Sequence, residues 1–266
     1  ELLDQLRGTV GLYIHVLDTN EIFELHPDHV YPSASVIKIP ILALLLQDVA
    51  AGTVNWDDRR SIAPENLVGG TGVLFELDSD YTPSVATLAR LMIILSDNSA
   101  TNEIIDMVGM ERVNQFCQAM GMPNTKLMRK MMDFAAIEAG RNNYMCAGEA
   151  GRLLVQLAKG EFVSPEISQK IVEIMEHQQC RNKLPAFIPA VPSYATAEEK
   201  KHLEPDTVLV ANKTGDLFGI QHDVGFFTLP DGRRYVISMF TGDLADDAVG
   251  IQAVAQVSKL VYEALK

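Results

Sequence analysis

The chain contains little cysteine, and its cysteines form no recognisable set. Cys117, Cys146 and Cys180 are far apart and show no metal-ligand spacing. An odd number excludes a framework in which every cysteine is paired within the chain, although the sequence still allows one disulfide. We therefore expect no metal and no cofactor, and the redox compartment is undecided.

Long apolar runs and an excess of basic residues are also missing. No apolar run reaches the roughly 18 residues that a membrane span needs. Lysine and arginine number 22 against 35 acidic residues, which gives a net charge of −13. Because phosphate binding requires clustered positive charge, we expect no nucleic-acid partner. Because the apolar runs are short, we also expect no membrane span. The chain starts at Glu1 without a methionine, so we expect a mature or trimmed form.

The 266 residues are enough for one large domain or two interleaved ones. Strand-like runs occur near both ends of the chain, with a hairpin predicted at Thr19-Asn20, whereas the middle has helical periodicity. Residues 1–6 are predicted to end a helix. The predicted strands are 9–18, 21–25, 207–213, 223–229 and 234–241, and the predicted helices include 84–95, 101–108, 111–119, 148–159, one opened by Ser164-Pro165-Glu166, and 246–265.

This distribution predicts an α/β chain of the α+β type. The economical arrangement places the strands from both ends in one antiparallel sheet, covered by the first and last helices. Residues 1–52 and 200–266 would form a discontinuous α/β domain, and residues 53–199 a helical domain. We expect the active site between them, because sites tend to lie where such lobes meet.

A short motif stands at the front of the most apolar stretch. Ser35 and Lys38 are three residues apart, and the apolar run 39–46 follows. In a helix the two side chains share a face, and burial would lower the pKa of the lysine. Such a lysine can be the base that a serine nucleophile needs, with unpaired N–H groups of the helix start facing a developing oxyanion. The alternative is a capping serine with an exposed lysine one turn later.

Two tripeptides follow this motif, each occurring once. Ser96-Asp97-Asn98 falls between two helical runs, and Lys213-Thr214-Gly215 is predicted to end a strand. Taken separately, the first is typical of a helix cap and the second of a strand terminus with a turn glycine. By chance each is expected well below about 0.1 times in a chain of this length. Their joint occurrence after Ser-x-x-Lys therefore indicates one site.

Together the three motifs resemble those of class A β-lactamases and penicillin-binding proteins, the serine penicillin-recognising enzymes. The resemblance extends to Gly70-Thr71-Gly72-Val73-Leu74, to residues 91–95 before Ser96, to residues 181–185 and to residues 222–225. It covers nearly the whole chain. It implies the β-lactamase/transpeptidase-like fold, an antiparallel sheet flanked by terminal helices together with an all-helical lobe.

The resemblance also implies catalytic roles. Ser35 would be the acylated nucleophile and Lys38 its proton-transfer partner. Ser96 would relay a proton toward the leaving lactam nitrogen. Lys213 would supply positive charge for the Ser96 hydroxyl and for the substrate carboxylate. Two lysines near one serine would attract the anion and lower each other's pKa.

Four further residues would bind substrate by the same resemblance. Asn98 is similar to the residue that binds the side-chain amide of the substrate, and Thr214 to one that helps hold its carboxylate. Gly215 belongs to the same motif. The backbone N–H groups of Ser35 and Asp216 would form the oxyanion hole.

One part of the family pattern is missing. Family β-lactamases carry Glu-x-x-x-Asn in a loop near the site, where the glutamate activates the deacylating water. The matching region here starts at Arg129 and runs to Asn143, and its only acids are Asp133 and Glu138. Asp133 is the candidate acid, although for both the alternative is a solvated surface carboxylate. The resemblance also leads us to expect an acid pairing with Arg129 at the end of the loop, where the sequence has Asn143.

Three functions stay open on these grounds. The first is a serine β-lactamase that hydrolyses the lactam amide through a Ser35 acyl-enzyme with an atypical or missing deacylating glutamate. The second is a D-Ala-D-Ala peptidase-like protein, and the third a β-lactam-sensing module that acylates and then deacylates slowly. The partner in each case is a small-molecule β-lactam or an acyl-D-Ala-D-Ala-like substrate. The resemblance implies a secreted or periplasmic protein, and we expect a monomer.

Overall fold

The structure is a computed structural model that describes residues 3, 6–78, 80–196 and 198–266. In chain order its elements are β1 (Thr9–Val16), β2 (Glu21–Leu25), β3 (Val30–Pro32), α1 (Lys38–Ala50), α2 (Val85–Ile94), α3 (Asn98–Val108), α4 (Met110–Ala119), α5 (Phe134–Glu138), β4 (Tyr144–Cys146), α6 (Ala147–Lys159), α7 (Pro165–Glu176), β5 (Leu209–Leu217), β6 (Ile220–Thr228), β7 (Arg234–Gly242) and α8 (Asp247–Leu265). The predicted helix over residues 1–6 lies largely outside the described residues.

The strands from the two chain ends form a single antiparallel sheet, as predicted. Its order is β2-β1-β7-β6-β5, so the first strand of the chain lies beside the last. In that pair Leu12 is opposite Met239. The predicted hairpin at Thr19-Asn20 is confirmed, with Val16 opposite Glu21 across the turn and Asn20 at a φ of +58°. The fold class predicted from the sequence is confirmed.

The sheet separates two apolar cores because successive strand residues point to opposite faces. On β7, Tyr235 and Ile237 lie in the core beneath α8, whereas Val236 and Phe240 lie in the core that contains α1. Ten of the 13 residues of α1 are buried, in agreement with its apolar composition all round. Helix α1 is therefore packed among α2, α3, α4 and α7, while the turn that precedes it contacts β5 and β6.

Local sequence signals set the starts of these helices. Ser84, Asp97 and Ser164 are N-caps whose side chains accept hydrogen bonds from backbone N–H groups of the first turn. Pro165 opens α7, where its missing N–H costs nothing. The predicted start of this helix is confirmed.

One strand prediction needs correction. Strand β5 continues to Leu217, so Lys213-Thr214-Gly215 lies within the strand and does not end it. The turn comes later, at Phe218-Gly219, where Gly219 has a φ of +71°. A short two-stranded sheet of β3 and β4 was not predicted, because strands of three residues carry no readable periodicity. It brings the end of the 129–143 loop to the chain just before Ser35.

All three cysteines are free thiols. Within the described ranges, no helix combines the length and the apolar character that crossing a membrane would require.

Candidate active site

Ser35 lies on a 3-10 turn, Ala34–Ile37, that leads directly into α1. The residue before it, Ala34, has a φ of +44°, a backbone region that costs a non-glycine residue on the order of 1–3 kcal/mol. Such strain is tolerated where the surrounding structure fixes it, which is typical of functional turns. Ser35 lines a cavity of about 250 Å³, whose other lining residues are Ala34, Gly70, Thr71, Asn98, Arg129, Met131, Met132, Asp216 and Leu217.

The Lys38 ammonium group is fully buried, and its hydrogen bonds go to the Ser96-Asp97-Asn98 motif. Nζ donates to Ser96 O at 2.7 Å, to Ser96 Oγ at 3.1 Å and to Asn98 Oδ1 at 2.9 Å. Burial, and next the charge of Lys213, hold the pKa of Lys38 well below its usual range. The alternative of an exposed lysine is thereby excluded.

Lys213 reaches the same hydroxyl from the opposite side. Its buried Nζ donates to Ser96 Oγ at 3.1 Å and to Thr214 O at 2.8 Å. Burial lowers the pKa of Lys213 to about 8. The Ser96 hydroxyl thus lies between two lysine amines, and the residues at positions 38, 96 and 213 converge.

Close packing brings β5 against the turn that carries Ser35. A Cβ atom at Gly215 would lie 3.0 Å from Val36 Cγ2 and 3.1 Å from Ala34 Cβ. A larger residue would push strand and turn apart. The glycine of Lys-Thr-Gly is therefore required by proximity and not by a turn.

Asp97 holds the middle motif in place. Its buried carboxylate accepts hydrogen bonds from the backbone N–H groups of Val73, Leu74 and Ala100. Gly72 lies against it at a φ of +100°, where a Cβ atom would overlap the Asp97 carboxylate. The segment around Gly72 therefore clamps the start of α3, which explains why this segment accompanies the motif.

Ser96 has a left-handed backbone, with a φ of +55°. Its carbonyl oxygen accepts from Lys38 and, at 2.6 Å, from Thr71 Oγ1. Asn98 uses Oδ1 to accept from Lys38 and Nδ2 to donate to Gly69 O at 3.0 Å. One N–H of the Asn98 amide is left for a ligand in the cavity.

The remaining predicted binding residues lie along β5. Thr214 is buried and Asp216 lines the cavity, with its side chain 54% exposed. The Asp216 carboxylate pairs with the buried Lys183 at 2.6 Å. Lys183 belongs to the segment 181–185 that was noticed in the sequence, but nothing there indicated a role for it.

The loop from Arg129 to Asn143 forms another wall of the cavity. Its base is closed by asparagines: Arg129 Nε donates to Asn142 Oδ1 at 3.0 Å, and Asn143 Oδ1 accepts from the N–H groups of Met128 and Arg129. The acid expected to pair with Arg129 is thus replaced by an amide, and the neighbouring Asn142 makes the contact rather than Asn143.

Asp133 does not line this cavity. Its side chain accepts the N–H of Ala136 at 2.9 Å and caps the short helix α5. Met131 and Met132 face the cavity instead. Two hydrogen bonds with the Asn102 side chain fix the backbone of Met131. The contact of the Asp133 side chain is therefore that of a helix cap.

Comparison with known proteins gives one consistent family. The model of the β-lactamase enzyme family matches residues 1–265. A β-lactamase of Bacteroides uniformis is 25% identical over 277 aligned residues, covering 100% of this chain and 89% of that protein.

Solved structures of a protein named PBP-A show the same fold. The chain and PBP-A share 29% identity at a TM-score of 0.86, covering 99% and 92% of the two chains. A mutant of PBP-A, solved as an acyl-enzyme complex with penicillin G, gives a TM-score of 0.85 at the same identity and coverage. The chain belongs to the β-lactamase enzyme family and has its fold.

Proposed function

We propose that the protein is a serine hydrolase that opens β-lactams through a covalent Ser35 ester. Ser35 Oγ attacks the lactam carbonyl carbon, and the Lys38 amine takes the hydroxyl proton. When the C–N bond breaks, the proton passes through Ser96 Oγ to the lactam nitrogen. The product of this step is the acyl-enzyme, which carries the opened ring.

The observation that carries this proposal is the Ser96 hydroxyl, which lies 3.1 Å from the amines of both Lys38 and Lys213. A hydroxyl in this position can receive the proton that Lys38 has taken and give its own proton to the lactam nitrogen, while Lys213 supplies positive charge beside it. The lowered pKa of Lys38, which burial causes, favours the neutral base that accepts the Ser35 proton. To accept that proton, Lys38 Nζ must give up one of its present hydrogen bonds and contact Ser35 Oγ instead.

The other groups complete the acylation site. The backbone N–H groups of Ser35 and Asp216 would bind the oxyanion, an interaction typically worth several kcal/mol in the transition state. The Lys213 charge and Thr214 would hold the substrate carboxylate, and the free amide N–H of Asn98 its side-chain amide.

Deacylation is proposed to be slow. Among the described residues, the lining of the 250 Å³ cavity contains a single carboxylate, Asp216, and it is paired with Lys183. A positioned base is typically worth 10²–10⁴-fold in such a hydrolysis. Without one, water attacks the ester slowly and the acyl-enzyme persists.

The second candidate is a penicillin-binding, peptidase-like protein or a β-lactam-sensing module. It is favoured by Met131 at the cavity wall and by the similarity to PBP-A. In both candidates the residues that form the ester are the same. They differ in the natural substrate and in the lifetime of the ester.

A time course of intact-mass spectrometry after brief exposure to penicillin G tests the proposal. We expect an adduct of the mass of penicillin on the native chain, decaying over minutes or longer, and no adduct on Ser35→Ala. Rapid decay with continued turnover would identify an efficient β-lactamase, and cleavage of an acyl-D-Ala-D-Ala peptide would favour the peptidase. An adduct that survives Ser35→Ala would disprove the role of Ser35.

A further inference from the structure

An ion pair at the rim of the cavity has no part in the chemistry above. Lys183 Nζ lies 2.6 Å from Asp216 Oδ1, with the lysine side chain fully buried and the carboxylate about half exposed. The backbone N–H of Asp216 is the proposed oxyanion donor, so its side chain lies beside the reacting centre. Asp216 and Ser35 line the same cavity.

The hairpin of β5 and β6 fixes the position of Lys183. Besides Asp216, its Nζ donates to His222 O at 3.0 Å and to Gly215 O at 3.4 Å. These contacts connect both strands of the hairpin next to Gly215. A buried ammonium group with three acceptors cannot follow the Asp216 carboxylate into solvent, so it holds that carboxylate in one place.

The neighbourhood of Lys183 contains charges of both signs. Asp223 is the second acid in its surroundings, and its buried carboxylate is bound by Asn212 Nδ2 and by the N–H of Leu184. Lys213 is a second cation of this region, bound to Ser96 Oγ, and Arg181 is a third, which interacts with the charge of Asp223. Among the described residues, the ion-pair partner of Asp216 is Lys183. Removing Lys183 would leave an unpaired anion where an anionic substrate has to bind.

We propose that the Lys183–Asp216 pair sets the charge selectivity of the site. Lys183 masks the Asp216 carboxylate, so that the Lys213 charge governs the place where a substrate carboxylate binds. Asp216 and Lys183 are thus specificity-determining residues, and Lys183 acts through Asp216. This inference rests on the proposed acylation of Ser35 by anionic β-lactams.

A purely structural role for the pair predicts something different. If Lys183 only connects the strands, its loss would slow acylation by charged and neutral substrates equally. If it masks a charge, its loss affects the anionic substrate more. Removing the Asp216 charge instead would shift the preference in the opposite direction, because it leaves the neighbourhood more positive.

The experiment compares Lys183→Met, Asp216→Asn and the double variant. The substrates are a chromogenic cephalosporin with a free carboxylate and the methyl ester of the same molecule. The measured quantity is the ratio of their second-order acylation rate constants. We expect Lys183→Met to lower the anion-to-ester ratio roughly tenfold and Asp216→Asn to raise it several-fold. The double variant should return close to the native ratio, and about 0.5 M salt should shrink the difference between native and Lys183→Met.

Lys200→Met is the matched control. Lys200 pairs with Glu176 at 2.9 Å and lines a different cavity, so its loss should leave the ratio unchanged. Equal slowing of both substrates in Lys183→Met, with no rescue by Asp216→Asn, would overturn the proposal. If Lys183→Met does not fold, Asp216→Asn alone tests the proposal. An anion-to-ester ratio that is unchanged or lower in Asp216→Asn would then overturn it. No acylation of the native chain by either substrate would instead refute the proposed function.

Discussion

The wall of the cavity made by the Ser35 turn, α3 and β5 differs sharply from the wall made by residues 129–143. Behind the first, buried amines converge: Lys38 and Lys213 both bind Ser96 Oγ at 3.1 Å. On the second, the groups that face the cavity are Arg129 and two methionines, and the nearest acid in sequence, Asp133, caps a helix.

This difference corresponds to the two proposed steps of the reaction, formation of the Ser35 ester and its hydrolysis. Forming an ester on Ser35 needs a base, a proton relay and a positive charge, and the first wall carries residues suited to all three. Hydrolysing that ester needs a base for water, and the second wall offers a thioether in its place. We therefore expect the two steps to respond to different substitutions.

The largest effect is expected at Lys38. Lys38→Met removes the proposed base and should slow adduct formation by about 10²–10⁴-fold, since that is the usual contribution of a positioned base. Stopped-flow mixing with a chromogenic cephalosporin measures the rate. Lys170→Met is the control, because this lysine lies over the Trp56 ring at 4.1 Å and outside the active-site cavity. Equal rates for the two variants would remove Lys38 from the mechanism.

Met131→Glu should give the second wall the base that it lacks for deacylation. Met131 lines the cavity and its backbone is fixed by Asn102 at 2.7 Å and 3.2 Å, so a carboxylate there would be held near the ester. We expect the adduct to decay up to about 10²-fold faster, the lower end of the range for a general base. Met131→Gln has the same shape without the basicity and should not accelerate decay. If glutamine accelerates it as much, the base is not what the loop lacks.

The pH dependence of acylation tests the first wall. Burial lowers the pKa of Lys213 to about 8, so its positive charge is present below that pH and is lost above it. Acylation by a β-lactam with a free carboxylate should fall by up to about tenfold for each pH unit above 8. The methyl ester of the same compound has no carboxylate for Lys213 to bind and should show a smaller fall. An equal decline for both substrates would assign the titration to another step.

The smallest effect is expected at Asp133. Asparagine is also a good helix cap, so Asp133→Asn should leave the adduct lifetime within about twofold of the native value. Asp133→Ala should cost about 1 kcal/mol of stability, measured by urea unfolding, because the bond to Ala136 N is lost. A trapped adduct in Asp133→Asn, at unchanged stability, would return Asp133 to the deacylation step.

Much of the fold could be predicted from short-range signals. The cap at Ser164, the helical spacing of residues 84–95 and the all-round apolar composition of α1 are local patterns, and they identified the helices correctly. The end of β5 was misplaced because Gly215 reads as a turn residue. Only its distance from Val36 shows that the glycine is needed for close packing.

The site also has a part that the sequence predicted and a part that it could not predict. The three motifs identified the residues that converge on Ser96, because rare residue combinations are visible in the sequence. The contacts of Lys183 could not be predicted, since Lys183 and Asp216 are 33 positions apart. The capping role of Asp133 could not be predicted either, because an aspartate in a loop looks the same in the sequence whether it caps a helix or activates a water.

The sequence alone determined the family, the class of fold and the set of polar side chains proposed for acylation, because these depend on residue identity and local periodicity. The tertiary structure decided which amine faces which hydroxyl, which carboxylate is paired and which side chains face the cavity. Burial and distance set these properties, and both arise only when segments remote in the chain pack together.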